Sequence, residues 1–156
     1  MANLTVTVTE SVTLNGAVRG NTNELTITGI EHVMERIVTI PASADTTVLL
    51  NKSGVNTSDG AIDIQDTKYI RITNLDSTNS VTLSLQVDVG NDDSSADESA
   101  SILLEAGKTF MLGTPHECVN VNDSSASLQA SLKDLESILV DSAANAVKLE
   151  LFVAGA

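Results

Sequence analysis

At 156 residues the chain is long enough for one domain with a sizeable core, and its 42% apolar content excludes wholesale disorder. Eight basic residues against twenty-one acidic ones leave a formal charge of −13, which is unsuited to a nucleic-acid backbone or an anionic membrane surface. The single cysteine, Cys118, excludes an intrachain disulfide, and with only 2% aromatic residues the core is expected to be built from Val, Leu and Ile.

The chain opens with "MANLTVTVTE", which has neither a basic nor an apolar leader segment, so synthesis in a cytoplasm is expected. The sequons at Asn3, Asn56 and Asn122 then carry no weight. From Leu4 to Gly16, Leu4, Val6 and Val8 alternate with threonines, the period of a half-buried strand whose exposed face suits β-branched Thr. Residues 1–10 are the expected strand or arm for contacting another surface. After a turn rich in Gly and Asn, Glu24 to Gly29 repeats the pattern. In "IEHVMERIVTIP", Ile30, Val33, Met34, Ile37 and Val38 share a helical face, but the β-branched "RIVTI" stops at Pro41 and the segment is read as strand. Thr46 to Asn51 is a short buried strand, Lys52 to Gly60 a surface loop, and Ala61 to Gln65 a weak strand.

"TKYIRITNLDSTNSVTLSL", Thr67 to Leu85, places two alternating runs around a knot of Asn, Asp and Ser, and predicts an antiparallel hairpin. The acidic, serine-rich run from Gly90 to Ser101 predicts a surface loop. "SILLEAGKTFMLG" reads as a second hairpin turning at Ala106-Gly107 and "ECVNV" as a short strand; Ser131 to Ser137 has the spacing of one helical turn. Ile138 to Ala154 reads as a third hairpin. Nine to eleven short strands, with no alternation of strand and helix, predict an all-β fold: one antiparallel β-sandwich, a jelly roll being one version of it.

Reactive residues are few. His116 and Cys118 in "HEC" would share a face on a strand, as two metal ligands might, but no third ligand completes a zinc site. His32 stands alone. Asp88, Asp92, Asp93, Asp97 and Glu98 form one acidic cluster and Asp59, Asp63 and Asp66 another; neither has the spacing of a calcium loop, so a solvated charge run is the expectation. Gly16, Gly20, Gly29 and Gly54 make no phosphate-cradling loop, and there is no nucleophile elbow. The residues therefore predict no catalytic, cofactor or metal site, and no enzyme.

"KYIRITNLDSTNSVTLSL", "LLEAGKTFML", the terminal "VKLELFVAGA" and the opening "MANLTVTVTE" together resemble small structural proteins of tailed bacteriophages, especially marine and cyanobacterial phages. The resemblance covers most of the chain apart from Ser43 to Gln65 and rests on strand and turn signatures. It implies a virion protein assembled in the host cytoplasm, in first place a capsid decoration or cement protein. Its partners would be the major capsid protein and further copies of itself, most plausibly as a trimer, without nucleic acid or membrane. A tail, connector or fibre-associated adaptor is the alternative within the particle. A carbohydrate-binding β-sandwich module is the alternative outside it.

Overall fold

In the computed structural model, which describes residues 1–52, 62–88, 98–121 and 128–156, every helix-or-strand element is a strand. Four strands precede the sandwich: β1 (Ala2–Thr9), β2 (Val12–Leu14), β3 (Ala17–Arg19) and β4 (Thr22–Ile30). The sandwich follows as β5 (His32–Ile40), β6 (Thr46–Lys52), β7 (Ile62–Asp63), β8 (Thr67–Asn74), β9 (Val81–Asp88), β10 (Glu98–Leu104), β11 (Thr109–Leu112), β12 (Asp134–Asp141) and β13 (Val147–Gly155).

One sheet has the order β11-β8-β13-β5 and the other β10-β9-β12-β6, with the two-residue β7 added in parallel at the β6 edge. Within the eight main strands the chain changes sheet at every connection except β9 to β10. The fold is the antiparallel β-sandwich expected from the strand pattern, and two four-stranded sheets in this order make it a jelly roll, one of the versions that pattern allowed. The facing surfaces carry the expected aliphatic core: Ile70 and Ile72 of β8, Leu83 of β9, Ile138 of β12, and Leu149 and Leu151 of β13 are all fully buried. Burying each such side chain contributes roughly 1.5–3 kcal/mol.

The three predicted hairpins are corrected. β8 pairs with β13 and β11, whereas β9 pairs with β10 and β12, so "NLDSTN" carries the chain over the core from one sheet to the other. The Ala106-Gly107 turn likewise links β10 and β11 across the sheets, and the connection from β12 to β13 does the same. Alternation shows which side chains face the core, but an arch and a hairpin can show the same alternation.

Asn74 shows how the first arch is sealed. It is fully buried, and its amide donates to the carbonyls of Asn79 at 2.9 Å and Leu104 at 3.2 Å. Its Oδ1 accepts from Asp76 N at 2.9 Å. Asp76 Oδ1 in turn accepts from the backbone of Asn79 at 2.7 Å and Thr78 at 2.8 Å. These bonds hold the Asp76 carboxyl below its ordinary value of 3.8, that of Asn79 most of all.

The helical turn expected at Ser131–Ser137 is also corrected. Lys133 bridges Val119, and Asp134 already begins β12, because its apolar residues complete the sandwich core. "ECVNV" is reduced to that bridge. "HVMERIVTI" is strand throughout, with Met34, Val38 and Ile40 against the core.

Candidate functional site

Residues 1–30 form a β-ribbon arm. β1 pairs with β4 so that Leu4 faces Ile27 and Val6 faces Leu25 on one side, with Thr5 opposite Thr26 on the other. The ribbon therefore has an apolar and a hydroxyl face, as its alternation predicts; Thr9 and Thr22 share a hydroxyl hydrogen bond of 3.1 Å. β2 and β3 extend it, joined by Asn15-Gly16, both at positive φ (52° and 76°). Such a two-residue connection suits the twist of a hairpin. A stretch from Ala2 to Leu14 spans roughly 40 Å at strand rise.

The arm's base is held by the outer face of the β11-β8-β13-β5 sheet. Leu4, Val6 and Ile27 pack around Ile30, Tyr69, Phe152 and Ala154. Tyr69 and Phe152 meet edge to face with centroids 6.2 Å apart. Arg71 lies 5.9 Å from the centre of the Phe152 ring and pairs with Glu150 at 2.7 Å, which keeps its guanidinium beside the arm. Leu4 to Val8 line a shallow cleft with Tyr69, Arg71, Met111 and Phe152, so the arm packs over β13, β8 and β11.

Where the arm meets the body, the register slips between Ala2 and Asn3, opposite Gly29 at φ 78°. A bulge of this kind bends the strand that carries it. Glu31 N then bonds to Gly155 O at 2.9 Å and starts β5. Toward the tip, Glu10 N bonds to Asn21 O, and Gly20 (φ 125°) lies so close to the Glu10 carbonyl that a side chain there would collide with backbone. The tip itself is bare: Val12 is 56% exposed, Leu14 57% and Val18 74%. A two-stranded ribbon is marginal alone in water, so the base depends on the sheet beneath it. Within the expected contact segment, residues 1–10, Leu4, Val6 and Val8 are half-buried and the other side chains are exposed, whereas Val12, Leu14 and Val18 of the tip are all exposed.

Other predicted residues are dispersed. His116 and Cys118 are not on a strand; 115–118 form a turn. His116 Nδ1 is 2.9 Å from Asp134 Oδ1, which also accepts from Glu117 N at 2.7 Å. Cys118 packs against the core, and desolvation, with Asp134 adding to it, pushes its thiol up to about 11. That is the environment of a small structural residue. Among the described residues, no group of three His, Cys, Asp or Glu side chains is placed to hold a metal ion. The expected acidic surface run is corrected at both ends: Asp88 is buried on β9 across from Asp134, and Glu98 to Ser101 are strand, the start of β10, because they pair with Ser84 to Val87, while residues 90–97 lie outside the described residues. His32, Asp63 and Asp66 border a cavity of about 310 Å³ at one end of the sandwich, whose walls include Met34, Ile62 and Val153. Asp63 Oδ1 accepts from Gln65 N at 3.0 Å, so this carboxylate is used in a local turn. Gly54, Asp59, Asp92, Asp93 and Asp97 lie outside the described residues.

The feature missed from sequence is the arm beyond residue 10 and its aromatic seat. Asn15-Gly16 between alternating runs is a strong signal for a hairpin tip. No signal in the local pattern assigns Tyr69 and Phe152 to the arm, because they become diagonal neighbours only when β8 lies beside β13.

No family model and no curated protein matches the chain. A solved structure described as "Bacillus endospore appendages form a novel family of disulfide-linked pili" contains a chain 12% identical to this one, with 83% of this chain and 92% of that chain covered. The TM-score is 0.37, an overlap too low to indicate a shared fold.

Proposed function

We propose that the chain is a non-enzymatic structural component of a tailed-phage particle: a decoration protein that sits on the outer shell, binds the major capsid protein and stabilises the assembled shell. The observation that supports this reading is the arm. A ribbon roughly 40 Å long, clamped at its base and bare at its apolar tip, is suited to reaching a surface outside its own fold. The body beneath it is a jelly roll with a large acidic excess, which favours solubility of many identical copies until they assemble. The work of such a protein is buried area summed over copies.

The test is the amount of this chain in purified particles relative to the major capsid protein. A simple stoichiometric ratio to the shell subunit is the expected result. A few copies per particle would assign the chain to the tail or connector instead, and complete absence from particles would overturn the virion reading.

A further inference from the structure

We propose that the arm tip of one copy docks on the outer face of β5 in a second copy of this chain, with Arg19 of the tip paired to Glu35 of that strand. Three observations converge on this contact, and it does not depend on the particle proposed above.

The first is reach. The arm packs across β13, β8 and β11, whereas β5 is the opposite edge of the same sheet. Four strands span only about 15–20 Å across a sheet, so a ribbon of roughly 40 Å extends past its own support. The tip of one copy and β5 of the next therefore meet head to tail.

The second is the pair of unpartnered apolar surfaces. On the tip, Val12 and Arg19 are cross-strand partners, as are Leu14 and Ala17, so these four side chains share one face. On β5, Met34, Val38 and Ile40 face the core, which turns Val33, Glu35 and Ile37 outward. Val33 is 57% exposed and Ile37 63%. β5 is also an edge strand of nine residues; its Arg36 donates to the Val48 carbonyl, so Glu35 is the charge left on its outer face between Val33 and Ile37.

The third is charge. Residues 1–30 carry two acidic residues and one basic, while the rest of the chain carries nineteen and seven. The arm is the part that a second, strongly acidic copy repels least. Its one basic side chain, Arg19, lies on the Val12/Leu14 face, and the outward β5 patch is apolar, acidic, apolar in order. Neither Arg19 nor Glu35 has an ion pair among the described residues. A tip presenting Val12, Leu14 and Arg19 matches Val33, Ile37 and Glu35 in both apolarity and sign. Such a heterologous contact closes into a ring or continues as an open series, according to the rotation at each step.

The test uses the purified full chain and measures mass against concentration by sedimentation and light scattering. The unaltered chain is expected to self-associate. Arg19→Glu and Glu35→Arg each weaken association by roughly tenfold or more, by placing like charges together. The double variant Arg19→Glu/Glu35→Arg restores it. Because both side chains are on the surface, unchanged thermal unfolding of each variant shows that the fold is intact. A second arm of the test, Leu14→Asp, removes the apolar half of the contact and abolishes association without altering the sandwich. A chain that stays monomeric, single variants that associate like the parent, or a double variant that stays weak would each overturn the proposal. A monomeric chain found in stoichiometric ratio in particles would give the tip to the capsid instead and leave the virion reading standing.

Discussion

Asn74→Leu should cost the protein about 3 kcal/mol of stability. The substitution keeps a buried side chain of similar size but removes three hydrogen bonds: two donated to the carbonyls of Asn79 and Leu104, and one accepted from Asp76 N. A typical net contribution is about 1 kcal/mol per bond, and Leu104 is buried, so its carbonyl has little access to replacement water. The same amide ties together two arches, because the Leu104 carbonyl precedes the β10–β11 crossing. Against a total stability of about 5–15 kcal/mol the loss is large. Equilibrium urea unfolding reads it directly: with a slope of about 2 kcal/mol/M, the midpoint falls by about 1.5 M with the slope unchanged. Asn145→Ala serves as the comparison, since it removes one exposed bond of 3.2 Å to Asn79 Oδ1 and should cost under about 0.5 kcal/mol. A loss below about 1 kcal/mol for Asn74→Leu, or an equal loss for Asn145→Ala, would refute the view that Asn74 seals the arch.

Four other outcomes are expected. Phe152→Ala should destabilise the chain by about 2 kcal/mol and make the 1–30 arm the first site of limited proteolysis, because the ring supports both Tyr69 and the arm base; an unchanged cleavage pattern would contradict this. Asp76 has a folded pKa below 3.8, so its stabilisation is complete above that value and is lost as pH falls through the lower folded value. The melting temperature of Asp76→Asn should therefore depend less on pH below 4 than that of the parent, and parallel curves would show that the carboxylate has no such role. Cys118, with its thiol near 11 against an ordinary 9.0, should be alkylated at pH 8 about a hundredfold more slowly than an unshifted thiol and at the ordinary rate in denaturant; fast labelling of the folded chain would contradict the buried placement. Gly20→Ala should reduce self-association while leaving the melting temperature of the sandwich nearly unchanged, since the added methyl meets the Glu10 backbone at the root of the tip; association equal to the parent's would show that tip orientation is immaterial.

The inward faces of β8, β9 and β13 were legible as strings of alternating residues. Ile70 and Ile72, Val81 and Leu83, and Leu149 and Leu151 are all buried as their period demands. The all-β class and the aliphatic core follow from the same period of two, since a pleated strand sends successive side chains to opposite faces whatever its neighbours are. The hydroxyl face of residues 4–9 belongs with these, whereas the turn chemistry of Asn15-Gly16, a property of the residues in the turn, carried a hairpin signal that the strand pattern alone did not use. What the local pattern did not contain was the choice of partner. "NLDSTN", Ala106-Gly107 and the β12–β13 connection each suit a hairpin locally. They are arches because the strands flanking each one find their hydrogen-bonding partners in opposite sheets, and those partners lie far away in the chain. The aromatic seat of the arm was likewise invisible, since Tyr69 and Phe152 are 83 positions apart and become neighbours only through β8–β13 pairing. Local chemistry thus set which residues face inward and where the chain turns. The tertiary structure alone decided which strand lies beside which, because that choice rests on contacts between residues distant in the chain, which no local period records.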